Sequence, residues 1–430
     1  MEEFKGLIPV PSYPGALDGK MMNRREFLSG SSAIAAAVSL SPASQSLELT
    51  TAKPSSNRIP VIDITDLYHP FQDPGDNLDL VYGFAFPEID LRAVILDVTN
   101  AFRRPIANAP NLWHDPNGPR EPGIVPVTQL NYVFDRQVPY AVSPFTAMRA
   151  AEDRMLDIPV FQQAGIRLLL DTLEASEQPV EILSFGSLRT LAIAFNRNPD
   201  LVRRKVARIH ISAGSAAPTI DRGSSSPENK IWEPDWNVAL DTWAFVRMLQ
   251  SDLPIAIYPC STQQDPYAYG IHNTYWKFPD LSFVSRLDRR LRNYILYALA
   301  RMNRPDFLAC LDGELVAEAT AARLTQPHNV WETAVWLNVT RRKLIRRANN
   351  EYAVVSAEES TVGSRVISNS LVPCDIQVQK DGRFSFALTS KKSNFSIFQR
   401  DDPAEYETAS RAAFTALWLS FRTALATPSE

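Results

Sequence analysis

The feature that most limits the fold is an alternation. Short apolar runs, of strand rather than helix length, recur between segments with helical spacing. The runs are "RIPVIDI", "LRAVILDVT", "VEILSFG", "ARIHISAG" and "LPIAIYPC". Between them lie "AGIRLLLDTLEAS", apolar at Ile166, Leu169, Leu170 and Leu173, then "SLRTLAIAFNRNPDLVRRKV", helical up to Asn198-Pro199, and "NVALDTWAFVRMLQSD". Apolar strands alternating with helices predict an α/β fold: a doubly wound, mostly parallel open sheet with helices on both faces. Such sheets bind ligands at the carboxyl ends of their strands. "SFGSL", "SAGS" and "YPCS" all follow strands, so their loops are expected to converge on one rim. Further on, "DIQVQKDGRFSFAL" predicts a hairpin turning at Asp-Gly, "RRKLIRRA" a solvated helix face, and "ETASRAAFTALWLSFRTALA" a closing helix.

The first run leads into "VIDITDLYHPFQDPGDNLDL", which holds Asp63, Asp66, Asp73, Asp76 and Asp79 with His69 as the one base among them. No lysine or arginine lies between Arg58 and Arg92. Like charges this close raise each other's pKa. Three explanations fit: a hard cation held by carboxylates, proton sharing in acid–base work, or a solvated acidic loop. Calcium, with about six to eight oxygen ligands, suits the first. A net charge of −4 gives no basic field, so no nucleic-acid partner is expected. Cys260, Cys310 and Cys374 are widely spaced. They predict buried small side chains, at most one pair bridged, rather than a zinc site.

At the other end of the sequence, "NRREFLSGSSAIAAAVSLSPAS" sets Arg24 and Arg25 before Phe27, Leu28, a short Ala/Ser-rich run and small residues around Ser41–Ser44. The order resembles a twin-arginine export signal, which implies a periplasmic or extracellular protein. The plainer reading is an amphipathic helix with an incidental arginine pair. The apolar run is far shorter than the ~20 residues of a membrane span, so no stable span is expected. The Met21-Met22 doublet offers an alternative translation start. The expected organisation is an extension and signal over 1–46, a linker over 47–58, and one domain over 59–425.

Four blocks together resemble the inosine–uridine nucleoside hydrolases, over roughly Ile59 to the C-terminus. The first is the acidic stretch itself, similar to an expanded DxDxxxDD calcium loop. The second is "PVEILSFGSLRTLAIAFNRNPDLVRRKVARIHISAGS", similar to that family's strand, TGPLTN turn, helix and MGG strand. The third, "EPDWNVALDTWAFVRMLQSDLPIAIYP", resembles its AEFN-x₃-D block, and the fourth, "NVWETAVWL", its late HD or WD motif.

The resemblance implies a calcium-dependent hydrolase that cleaves the N-glycosidic bond of ribonucleosides or a related glycoside. A metal-bound water would be its nucleophile and Asp66 its general base. It implies calcium ligands at Asp66, Asp76, the Phe185 carbonyl and Glu332, with Asp73 as a substitute or added ligand. It implies sugar contacts from Asn100, Asp235 and Asn237. Ser212 replaces the methionine of MGG, Trp331 replaces a histidine used for leaving-group protonation, and His69 is a candidate acid or a loop residue. Family members often form dimers or tetramers, which implies a homodimer or homotetramer. Departures fall in the first loop. Asp66 and Asp76 are ten apart, against five in the family. Gly75 stands for one aspartate of an adjacent pair. Ile64 stands for the first aspartate, with Asp63 one position out of phase, and a strand turns such neighbours to opposite faces. The alternatives to an enzyme are a sugar- or nucleoside-binding protein that has lost turnover on the same fold, or a mainly structural exported protein.

Overall fold

The computed structural model describes residues 58–67, 75–97, 123–216, 235–262, 267–300, 302, 304–313, 315 and 322–424. The signal and linker expectations, and His69, Asp73 and Asn100, lie outside these residues. No helix among the described residues is long and apolar enough to cross a membrane.

The chain opens with β1 (Ile59–Thr65), α1 (Gly75–Ala85), β2 (Ile89–Leu96), α2 (Ile124–Val133) and β3 (Tyr140–Val142). It continues with α3 (Ala164–Ala175), β4 (Val180–Phe185), α4 (Arg189–Arg197), α5 (Pro199–Lys205) and β5 (Val206–Ser212). Then come α6 (Trp236–Leu240), α7 (Thr242–Leu249), β6 (Ile255–Tyr258), α8 (Arg289–Leu299) and α9 (Thr333–Thr340). The main sheet is completed by β7 (Ser370–Val378), β8 (Phe384–Leu388) and β9 (Phe395–Gln399), and α10 (Pro403–Ser420) follows.

The nine strands run in the order β8-β7-β9-β6-β5-β4-β1-β2-β3. From β9 to β3 every pairing is parallel. The β7–β8 hairpin is an antiparallel edge, as its Asp381-Gly382 turn predicted, with Gly382 at φ +85°. Strand order reverses between β1 and β4, the switch point where such sheets open a crevice.

Period-2 alternation divides the sheet between two cores. Ile62, Ile64, Ile182 and Ile209 bury on one face against α3, α4 and α7. Val61, Leu183 and Tyr258 bury on the other with Tyr294, Trp336 and Phe414. Each such aliphatic side chain contributes about 1.5–3 kcal/mol relative to exposure, so register is strongly specified.

Local chemistry sets the breaks. Asn198 Oδ1 caps Leu201 N–H at 3.2 Å, with Pro199 opening α5, where the sequence ends its helix. The predicted helix "NVALDTWAFVRMLQSD" is instead two, because Asp241 leaves the helical conformation and caps Ala244 N–H at 3.1 Å. The run "RRKLIRRA" is corrected. Helix α9 ends at Arg341, which is left-handed at φ +56°. Lys343–Arg346 then form a strand between Tyr352–Val355 and Arg365–Ile367, burying Leu344 and Ile345. Core packing of those two aliphatics overrides the charge pattern. All three cysteines are free, Cys310 and Cys374 buried and Cys260 half-buried.

One core histidine gives a stability prediction. His210 on β5 hydrogen-bonds the Tyr258 hydroxyl at 2.9 Å and Glu181 Oε2 at 3.1 Å. Burial lowers its pKa, against the raising effect of Glu181. As pH falls through the ordinary histidine range of about 6.5, the unfolded chain takes a proton that the folded chain resists, so stability is lost. Thermal melts between about pH 7.5 and 5.5 should fall more steeply for the wild type than for His210→Gln. Parallel curves would exclude this source of acid sensitivity.

Candidate functional site

The site forms where β1, β4 and β5 end. Val61, Asp63 and Thr65 share one face of β1, opposite Ile62 and Ile64. Asp63 is therefore the residue turned toward the acidic group, and its phase resolves in its favour over Ile64. Its side chain is 0% exposed, and neither carboxylate oxygen has a hydrogen-bond partner. Burial, then the charges of Asp76 and Glu332, hold its pKa well above the usual range.

Asp76 sits in the first turn of α1, where the helix dipole favours an anion. Its Oδ2 accepts from Thr65 Oγ1 at 2.7 Å and from Asp66 N–H at 3.3 Å. This ties the start of α1 to the end of β1. Glu332 immediately precedes α9; its Oε1 accepts from Ser212 Oγ at 3.3 Å and its Oε2 from Trp331 N–H at 3.2 Å. Asp66 is also buried, and its Oδ2 accepts from the Trp236 indole N–H at 2.5 Å. Burial and the neighbouring Asp76 raise its pKa, while the Trp236 bond opposes the rise.

Close backbone approach holds these groups in place. A Cβ on Gly186, just after β4, would lie 3.2 Å from both Asp66 Cβ and Asp66 N, so a larger residue there would press on Asp66. Phe185 pairs in register with Thr65, and its ring packs 5.9 Å from Trp336, in the core. After β5, Gly214 at φ +91° donates its N–H to Asp235 Oδ2 at 2.7 Å. Asn237 Nδ2 donates to the Ser212 carbonyl at 2.7 Å. Asp235 Oδ1 is buried without a partner, and burial pushes the carboxyl up to about 6.

The remaining wall is soft and aromatic. Cys260 Sγ lies 3.4 Å from Ser212 Oγ, and burial, then Asp235 and Glu332, raise its pKa, so it is no thiolate nucleophile near neutrality. Trp331 donates its indole N–H to the Cys260 carbonyl at 2.9 Å. Its ring stands 5.4 Å from Tyr275 and 6.0 Å from Tyr267.

Of the residues singled out in the sequence, Asp66, Asp76, Phe185, Ser212, Asp235, Asn237, Trp331 and Glu332 gather at this rim. Asp79, the last aspartate of the acidic stretch, is buried on α1. His272 is a hydrogen-bonded loop residue, 3.0 Å from the Phe398 carbonyl. Sequence reasoning missed Asp63 as a site residue, and Trp236 altogether. The signal for Asp63 was present in the alternation with Ile62 and Ile64; Trp236 carries none.

Among the described residues, no three His, Cys, Asp or Glu side chains stand ready as a metal-ligand set. The chemistry of the donors nonetheless fits a hard cation. A buried, partnerless carboxylate pressed by two others calls for positive charge, and all the donors are oxygens.

No family model matches this sequence, and no curated protein matches it. Among solved structures, the chain is similar to a plant nucleoside hydrolase at 15% identity, covering 83% of this chain and 99% of that one, with a TM-score of 0.46. It is similar to an inosine–uridine preferring nucleoside hydrolase from Bacillus anthracis at 11% identity, covering 84% and 99%, with a TM-score of 0.42. It is also similar to an inosine–guanosine nucleoside hydrolase at 14% identity, covering 85% and 100%, with a TM-score of 0.44.

Proposed function

We propose that this chain is an exported, calcium-dependent hydrolase of the N-glycosidic bond of ribonucleosides or of a related glycoside. The observation that carries the reading is Asp63, a fully buried carboxylate without a partner, grouped with Asp76 and Glu332 beside Asp66. Asp63, Asp66, Asp76 and Glu332 would hold the cation, with Asp73 and the Phe185 carbonyl completing the set. When bound, it offsets the carboxylates' repulsion, orients sugar hydroxyls and acidifies a water.

The chain's own groups do the rest. Trp236 fixes one oxygen of Asp66. The Asp66 carboxyl, which also meets the Asp76 side chain, would take a proton from the attacking water, and a raised pKa brings that base nearer to working pH. Breaking the bond develops oxocarbenium-like positive charge on the sugar, which the clustered carboxylates stabilise as it appears. Asp235, Asn237 and Asn100 would hold the sugar, while Ser212 braces Glu332. Trp331 would wall the aglycone side, and His69 is the candidate leaving-group acid.

A second reading, a sugar-binding protein without turnover, draws support from Ile64 and Gly75, which stand where the resembled family has aspartates. Release of free reducing sugar from a panel of nucleosides separates the two. Cleavage that needs calcium and stops with chelator is expected. Sugar binding with no release at high protein concentration would replace the first reading with the second.

A further inference from the structure

A second hollow lies at the opposite end of the strands, beside the start of β1 and the end of α1. It is open to solvent, has a volume of about 410 Å³ and is lined by Arg58, Arg136 and Arg422 around Phe84, Phe86 and Phe134. The three guanidinium groups come from separate places: the residue before β1, the turn after α2, and the turn after α10.

Their partners are uncharged. Arg58 Nε donates to the Pro87 carbonyl at 2.8 Å. Arg136 Nη1 donates to the carbonyls of Gly83 and Phe84, at 3.1 and 3.3 Å. Arg422 Nη1 donates to those of Leu419 and Phe421, both at 3.1 Å. Most of these oxygens belong to the last turns of α1 and α10. A helix C-terminus carries only about half a negative charge, so two of them leave much of three positive charges uncompensated. Of the carboxylates nearby, Glu88 pairs with Arg342 at 2.8 Å and Asp90 with Arg92 at 2.6 Å, although the charge of Asp90 also acts on Arg136. No carboxylate lines the hollow among the described residues.

The aromatic surface between the cations comes from the half-buried Phe134, with Phe84 and Phe86 nearly buried behind it. The Arg136 guanidinium lies 5.5 Å from the Phe84 ring centre, and Phe84 lies 6.0 Å from Phe134. Guanidinium groups are matched to carboxylate and phosphate oxyanions, which they bind with paired hydrogen bonds. Phenylalanine rings favour a flat apolar body. The volume falls within the range of about 300–1,000 Å³ usual for small-molecule sites.

We infer that this hollow is a binding site for a small phosphate monoester carried on a flat aromatic body, separate from the acidic rim. Arg58 and Arg422 would grip the oxyanion, and the half-buried Phe134 would offer the ring a face.

Phenyl phosphate, inorganic phosphate and benzyl alcohol should be titrated calorimetrically into the full protein in chelator. Phenyl phosphate is expected to bind at least about tenfold more tightly than inorganic phosphate, and benzyl alcohol not measurably. Arg58→Gln and Arg422→Gln change side chains that reach solvent, so both variants should melt like the wild type. Each should weaken phenyl phosphate about tenfold or more. No heat in the wild type up to roughly 10 mM would overturn the proposal and leave the arginines as helix caps alone. Unchanged affinity in both variants would overturn it equally, since the ligand would then sit elsewhere.

Discussion

Asp66→Asn is expected to lower nucleoside turnover by about 10²–10⁴-fold, the usual worth of a general base. With calcium saturating, the loss should fall on kcat, with KM little changed, because the amide keeps the shape and the Trp236 bond while losing the proton acceptor. Asp63→Asn makes a contrasting companion. Asp63 has no partner to lose, so neutralising it should raise the melting temperature of cation-free protein by removing a buried, repelled charge. The same change should abolish any stabilisation by calcium, which for the wild type at about 100 times its Kd would be worth about 2.7 kcal/mol. Melts with calcium and with chelator read both effects. An Asp63→Asn protein stabilised by calcium as much as the wild type would remove Asp63 from the ligand set. Full activity in Asp66→Asn would move the base elsewhere, with Asp73 the next candidate.

What was legible in the sequence was what depends on nearest neighbours and period. Five apolar runs became five adjacent parallel strands, because strands covered on both faces must be apolar throughout. Asn198-Pro199 and Asp381-Gly382 broke the chain where their backbone chemistry requires. The misreadings have a common cause in long-range packing. Leu344 and Ile345 carry "RRKLIRRA" into a strand because two other strands await them. Asp241 breaks a helical run because it also receives Met148 N–H at 2.8 Å, from a segment far away in sequence. The acidic stretch announced a charged rim, but motif spacing pointed to Ile64, whereas the side-chain alternation of β1 turns Asp63 into the site. Trp236 reaches Asp66 across 170 positions of chain, and nothing local foretells that contact.

The largest effect on stability is expected from Arg189, which lies in the second block but was assigned no role there. It begins α4, is 0% exposed, and donates to Asp97 at the end of β2. Its Nη1 lies 3.8 Å from Asp241 Oδ2. Ser187 Oγ donates to the second oxygen of Asp97 and accepts from Arg189 N–H at 3.1 Å, so the turn after β4 is closed around the ion pair. One guanidinium thus serves two buried carboxylates. Arg189→Met fills a similar volume and leaves both uncompensated, which should cost about 3–5 kcal/mol. The loss should depend on pH in a defined direction. Burial pushes the Asp241 carboxyl up to about 6 even with Arg189 present, and without it that folded-state value must rise further. A carboxyl raised in the folded state costs stability as pH climbs from its unfolded value, about 3.9, through its folded one. Denaturant melts of Arg189→Met should therefore show a larger deficit at about pH 7.5 than at about pH 5, and Asp97→Asn in the same chain should recover part of it. A deficit below about 0.5 kcal/mol at neutral pH would mean that these charges are compensated by groups other than Arg189. Because the charge of Asp97 also raises the pKa of Asp66, the cluster that holds the turn bears on the proposed base, and Asp97→Asn should shift the acid limb of the activity profile downward.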